Sequence, residues 1–360
     1  MNAKEVKALA MHGGADVVGI ASMDRCGGAP RQMDPRYAMP EAKSMIVMGH
    51  RIMRGSLRGP EEGTFFGTYS AMGYGYINQH IIPWTARHVA RAIEDEGYEA
   101  MPIGFHFNWA ATNSTDGSFR GGAPHSKPVR EGLPAPDVFM SMRVAAYLAG
   151  LGEFGYSKVF LNPVYGPRVR YGCVMTDLEL EPDPVMKPGT LCNRCMACVR
   201  ECPGKSISGV KTVKVRLGGY DVEWGELDEL SCRDAFRGAA EAPEGMKGNY
   251  LDGRDDAMPS HISPFYHKPF NIFEHGESIC GGRGCVRACM ISLEKRGVLQ
   301  NKFHEPFRRR PNWTVDWSDY DPQRAYNADP RLRSAREEWA ERHAQALKDA
   351  PQSAEKEIDT

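Results

Sequence analysis

The chain has 360 residues, 45 basic and 46 acidic side chains, and a formal net charge of −1. That length supports a substantial core and about two domains. The balanced charge offers no basic surface for nucleic acid and no acidic tail. No run reaches the roughly 18 apolar residues of a membrane span, and the opening MNAKEVKALAMHGGADVVGIA carries neither a twin arginine nor a signal-like apolar core. The expected location is therefore cytoplasmic. Structural disulfides are rare there, so ten cysteines read first as metal ligands.

In chain order, DVVGIA (Asp16–Ala21) and SMIVMGH (Ser44–His50) are predicted as buried strands. Ile77, Ile81, Trp84, Val89 and Ala92 mark a helix face, with Pro83 near its start or a bend. Residues 104–136 form a polar, glycine-bearing loop without a period, and such loops are often part of a site. VFMSMRVAAYLAGLGEFG is predicted as a helix closing on Gly150 and Gly152. SKVFLNP and VRYGCVMTDLEL are predicted as two strands leading into a cysteine-rich segment. Near the C-terminus, Asp329 and Pro330 open a predicted charged helix.

The cysteine-rich segment begins with LCNRCMACVRECPG: Cys192, Cys195, Cys198 and Cys202, followed by Pro203. This is the C-x2-C-x2-C-x3-C-P run of bacterial ferredoxins. A tight loop points three thiolates at one cubane, and the fourth cysteine ligates a second cluster. Structural zinc instead favours C-x2-C knuckles separated by roughly 15–20 residues. Four further ligands are then needed. ELSCRDAF supplies Cys232, and CGGRGCVRAC supplies Cys280, Cys285 and Cys289. Ferredoxin pseudo-symmetry pairs Cys192, Cys195, Cys198 and Cys289 in one [4Fe–4S] cluster, and Cys202, Cys232, Cys280 and Cys285 in the other. Four residues separate Cys280 from Cys285, and Met290 stands where proline is usual. Cys26 and Cys173 remain, and read as small buried hydrophobes.

YLAGLGEFG (Tyr147–Gly155), NPVYGPRVRYG (Asn162–Gly172), TDLELEPDP (Thr176–Pro184) and the cysteine run, in that order, resemble the catalytic subunits of corrinoid-dependent reductive dehalogenases. Epoxyqueuosine reductases share the order and the placement of the eight cysteines. They usually carry GLGWIGKN where this chain has GLGEFGYS, which is closer to the dehalogenase pattern. The resemblance implies an α+β fold: a nitroreductase-like corrinoid-binding core over 1–185, then a bacterial ferredoxin-like two-[4Fe–4S] domain over 186–300. A C-terminal extension with its helix occupies 301–360. It implies cobalamin bound base-off, which fits the lack of a D-x-H-x-x-G motif, with Gly150, Gly152, Tyr165 and Gly166 at the cofactor. It also implies a small organic substrate and a ferredoxin- or flavodoxin-like electron donor, with no membrane or nucleic-acid partner.

Several side chains are candidates for the chemistry. Arg168 and Arg170 would steady a leaving anion, or else form a strand-edge ion pair. His106 would donate a proton, or serve a structural role. Asp137 lies within a residue of where epoxyqueuosine reductases keep an acidic catalytic residue, and also suits a helix N-cap. Tyr165 is a further candidate, and HISPFYHKPFNIFEH (His261–His275) would line the pocket or cover the cluster domain. The Cys192 loop follows the corrinoid-core strands directly, so its cluster is expected nearest the corrinoid. The leading reading is a cytoplasmic reductase acting on a halide or similar leaving group. Epoxyqueuosine-type tRNA modification is the alternative, and an electron-transfer or corrinoid-handling protein is the third.

Overall fold

The computed structural model describes residues 1–104, 128–135, 138–236, 240–241, 261–262 and 280–313. Helix α1 (Ala3–His12) opens on a capping box, with Asn2 and Glu5 each satisfying the other's backbone N–H. Strand β1 (Val17–Ser22) pairs antiparallel with β2 (Ser44–Arg51). A short α2 (Arg58–Glu62) follows, then wide helical turns over Tyr69–Gly75 and Ile77–Ile81 run into α3 (Ile82–Glu94). Pro83 sits in the first turn of α3, where no N–H is missed. Next come β3 (Ala100–Ile103), α4 (Met142–Leu148), the short pair β4 (Glu153–Phe154) and β5 (Phe160–Leu161), and β6 (Val169–Thr176).

Strands β1, β2, β6 and β3 form one antiparallel sheet in that order. Its two faces are both covered. Ile46, Met48 and Val174 pack on one side with Val6 and Ala10 of α1 and Ala86, Val89 and Ile93 of α3. Met45, Val47, Cys173 and Met175 face the other side with Ala145, Tyr147 and Leu148 of α4. Burial on both faces explains why β2 reads as a continuous apolar run rather than an alternating one. Cys26 and Cys173 lie in the second of these cores. Burial pushes the Cys26 thiol up to about 11 and Cys173 higher still, so both behave as apolar packing, as expected.

The helix predicted to close on Gly150 and Gly152 starts only at Met142 in the structure. It ends at Leu148, because Gly150 turns to φ 73° and Glu153–Phe154 enters β4. The hairpin of β7 (Ile207–Leu217) and β8 (Tyr220–Leu227) carries a sequence signal that the chain-order reading passes over. Its two-residue turn is Gly218–Gly219, with φ 52° and 88°, the conformation a type I′ turn requires. Val222 and Trp224 of β8 join the core beneath α4. The remaining helices are α5 (Ala197–Glu201), α6 (Glu229–Phe236) and α7 (Cys289–Lys295), the last continuing a wide-turned stretch over Arg283–Ala288. Val286, Met290 and Phe307 share a core with Ile52, Leu57, Tyr69 and Ile82, so the cysteine-bearing helix packs directly on the sheet region. No helix among the described residues is long and apolar enough to cross a membrane. His106, Asp137, most of loop 104–136 and the predicted C-terminal helix lie outside the described residues.

Candidate functional site

The eight cysteines of the run and its partners gather in two groups. Burial raises the Cys289 thiol well above its usual value, and Cys192, Cys198 and Cys195 stand close enough to raise it further. Burial lifts Cys285 to about 12, with Cys280, Cys232 and Cys202 adding to the effect. Cys232, at about 11, is raised by burial and then by Cys280 and Cys202. None of these thiols is in a disulfide. Thiols raised as Cys232, Cys285 and Cys289 are would stay protonated on their own, whereas a bound metal centre holds them as thiolates.

Backbone geometry points the same way. The loop before α5 places Arg194 and Met196 at φ 54° and 58°, a left-handed conformation costly for side-chain-bearing residues and typical of functional loops. The N–H of Tyr156 donates to Cys192 Sγ and that of Ser206 to Cys202 Sγ, each at 3.4 Å. Such N–H···S contacts tune iron–sulfur centres. Gly284 brings the two cysteine segments together, since a Cβ there would lie 2.6 Å from the Cys198 carbonyl oxygen and 2.7 Å from Cys202 Cα. Any side chain at 284 would force the two segments apart. Among the described residues no three His, Cys, Asp or Glu side chains converge as a single-ion site.

Buried charges brace both groups. Glu153 is 1% exposed. Its Oε2 accepts from the N–H of Gly189, and its Oε1 from the N–H of Leu191 and, at 2.7 Å, of Cys192. This carboxylate therefore fixes the loop that delivers the first cysteine. Beside the other group, Arg287 donates to Glu61 in a pair shielded from water. Arg308 bridges Glu61 and Glu201, the neighbour of Cys202. Burial alone would raise the Glu61 carboxyl, but Arg308 and Arg287 more than offset it and hold it low. A buried pair of this kind locates elements more than it stabilises them.

The two predicted arginines part company. Arg168, 1% exposed, donates to the Ile52 carbonyl at 2.9 Å and to Asn301 Oδ1 at 2.7 Å. Burial brings its pKa down to about 10, so it stays charged at neutral pH as an internal strut. Arg170 donates to the Tyr69 hydroxyl at 3.1 Å and lies 4.4 Å from the centre of the Tyr74 ring. Its buried Nε has no hydrogen-bond partner. Burial raises Tyr69 to about 12, Arg170 opposes that, and Cys285 and Cys280 add to it. Arg143, which no motif singled out, joins this cluster. It is solvent-exposed, yet the surrounding protein desolvates it enough to lower its pKa, with Cys285, Arg170 and Cys232 close by. Its guanidinium donates to the Lys158 carbonyl at 3.0 Å.

The Cys202, Cys232, Cys280 and Cys285 group thus adjoins Arg170. Packing makes this contact, seating the Arg283–Ala288 helix beside Ile52 and Tyr69. Gly150 and Gly152 meet protein backbone: added Cβ atoms would lie 2.3 Å from the Pro184 carbonyl oxygen and 1.9 Å from that of Leu161. A Cβ on Gly166 would meet Leu299 and Leu293. Tyr165 is half-buried, its ring 5.7 Å from the Arg51 guanidinium and 6.0 Å from that of Arg168.

No family model matches the chain. It is 43% identical over 72 residues to a tetrachloroethene reductive dehalogenase of Dehalobacter restrictus, covering 19% of this chain and 13% of that protein. It is 25% identical over 179 residues to an epoxyqueuosine reductase of Lactococcus garvieae, covering 49% and 42% respectively. Among solved structures, a catabolic reductive dehalogenase aligns with a TM-score of 0.42 and 21% identity, over 65% of this chain and 29% of the other. The relatives of this chain are thus reductases. They comprise reductive dehalogenases and epoxyqueuosine reductases, and the chain matches less than half the length of each of these two sequence relatives.

Proposed function

We propose that the chain is a corrinoid- and iron–sulfur-dependent reductase that removes a halide or similar leaving group from a small organic substrate. The observation that carries this reading is the pair of four-cysteine groups, the second of which lies beside Arg143, Arg170 and Tyr69. A bound corrinoid would supply a strongly reducing, nucleophilic cobalt, and [4Fe–4S] clusters would supply single electrons. Cys192, Cys195, Cys198 and Cys289 would hold one cluster. Cys202, Cys232, Cys280 and Cys285 would hold the other. The guanidinium donors of Arg170 and Arg143 would suit a corrinoid, whose periphery is lined with amide acceptors. Arg170 has an unsatisfied Nε, and Arg143 has no carboxylate partner among the described residues.

Arg170 is the side chain we assign to the leaving anion. Its guanidinium is held by Tyr69 and Tyr74, and its planar fork binds carboxylate or halide better than a point charge does. Tyr69, with its raised pKa, keeps its proton at neutral pH and orients the arginine. Arg168 is assigned to fixing Ile52 against Asn301. His106 and Asp137 are retained as proton-donor candidates. A ferredoxin- or flavodoxin-like protein in the cytoplasm is the proposed electron source. Its entry point is Cys195, the exposed member of the first group.

Anaerobically purified protein, incubated with hydroxocobalamin and reductant, is expected to retain about one cobalt per chain and to release halide from a halogenated phenol. An iron-loaded chain that never retains cobalt would remove this reading. The second reading rests on the longer match to epoxyqueuosine reductase. It predicts salt-sensitive binding of tRNA and reduction of its modified base.

A further inference from the structure

The near-neutral total charge hides an uneven spread. Residues 185–220 hold seven Lys and Arg side chains, all exposed, against one acid, Glu201. Glu201 is already engaged, since its two oxygens accept from Arg308 at 2.9 and 2.8 Å. The fold gathers the cations around Cys195, the exposed thiol of the first group. Arg200 donates to the Cys195 carbonyl at 3.0 Å. Cys195 Sγ lies 3.4 Å from Ser292 Oγ of α7, and that helix ends in Lys295 and Arg296 while its Glu294 turns to Arg54 at 3.0 Å. Strand β7 is tied to the same loop at two points. Near its start, a Cβ on Gly209 would lie 3.6 Å from Val199 and 3.9 Å from Met196. Further along, Lys214 stands opposite Glu223 in register, and Glu223 accepts from Arg194 at 2.6 Å. One carboxylate thus faces a cation of the strand and a cation of the loop. Asp221 pairs with Arg216 at 2.8 Å, which leaves Glu226 as the remaining acid of the hairpin. Lysines on an edge strand also discourage stray pairing, but Arg194 and Arg200 lie outside any strand.

From this arrangement we infer that the surface around Cys195, built by the Cys192 loop, α5 and β7, docks an electron-donor protein whose own redox centre is ringed by acidic side chains. The inference rests on the two-cluster reading proposed above and gives the entry point at Cys195 its partner surface. A one-electron carrier must bring its centre close, pass its charge and leave again, which a small, charge-steered interface allows. The cationic field draws the donor in with its acidic ring turned toward the exposed ligand. In the transfer the donor loses one electron and the first cluster gains one, and no bond or proton moves.

The test follows reduction of the clusters of the anaerobic holoprotein by stopped-flow absorbance, with a reduced acidic flavodoxin or with dithionite. With flavodoxin, the wild-type second-order rate constant is expected to fall about tenfold between about 0.01 and about 0.1 M salt, as the screening length drops from about 30 to about 10 Å. Joint replacement Lys211→Glu and Lys214→Glu should lower the low-salt rate about tenfold, while dithionite reduces variant and wild type alike. Lys4→Glu, on α1 across the sheet from the hairpin, should leave the flavodoxin rate close to wild type. If the double reversal does not assemble clusters, Lys211→Gln with Lys214→Gln decides: slowing at low salt supports the inference and an unchanged rate refutes it. A salt-independent flavodoxin rate, equal slowing by Lys4→Glu, or no reduction by flavodoxin of a wild type that dithionite reduces would each overturn it. So would binding of bulk tRNA that the double reversal abolishes while the flavodoxin rate stays the same, an outcome that assigns this face to nucleic acid. A wild type without cluster absorbance would instead defeat the function proposed above.

Discussion

Cys289→Ala is expected to empty the first cluster and spare the second, taking iron from about eight to about four per chain. Cys285 and Cys289 lie one helical turn apart, at 285 in the wide-turned stretch and at the start of α7. A reading by sequence proximity would give them to one cluster. Cys192, Cys198 and Cys195 act on Cys289 more strongly than Cys285 does, whereas Cys280, Cys232 and Cys202 act on Cys285. Cys285→Ala should accordingly abolish the other half of the iron. The two variants should lose different paramagnetic signals. If they lost the same signal, the crossed assignment would be wrong.

Arg170→Lys is expected to lower turnover about a hundredfold with cobalt and iron content unchanged, an effect of the size that small misplacements in a site produce. Lysine keeps the charge but loses the fork that reaches the Tyr69 hydroxyl while lying over the Tyr74 ring. Arg168→Lys should behave differently. Its two bonds run to Ile52 and Asn301 in a water-free interior, so breaking that geometry is expected to cost about 3 kcal/mol of folding stability. Thermal unfolding and turnover of both variants separate the roles. Full turnover in Arg170→Lys would make that arginine structural as well.

Much of the sheet was legible because buried strands announce themselves. Val17–Ser22 and Ser44–Arg51 fall within a residue of their predicted limits, since both sheet faces are covered by helices. The β7–β8 hairpin shows the opposite case. Its outer strand carries lysines and an arginine, and only the Gly218–Gly219 turn betrays it. Helix α4 ends at Leu148, close to its predicted end at Gly150, but starts at Met142, four residues after the predicted segment opens. The positive φ of Gly150 and the close approach of Gly152 to Leu161 are tertiary facts. The cysteine grouping could be deduced by counting ligands, but not its orientation toward Arg170, which is set by the packing of Val286 and Met290 on Ile52 and Tyr69. Glu153 and Arg143 carried no local signal at all. Their importance comes from partners 36 to 39 residues away for Glu153, and from cysteines near residues 232 and 285 for Arg143.

The central claim is that eight cysteines, crossed between two sequence segments, hold two four-iron clusters. Quantifying iron and acid-labile sulfide in anaerobically purified protein tests it most directly. The account predicts about eight of each per chain. Iron near four would leave one of the two groups without a cluster, and stoichiometric zinc without sulfide would contradict the assignment altogether.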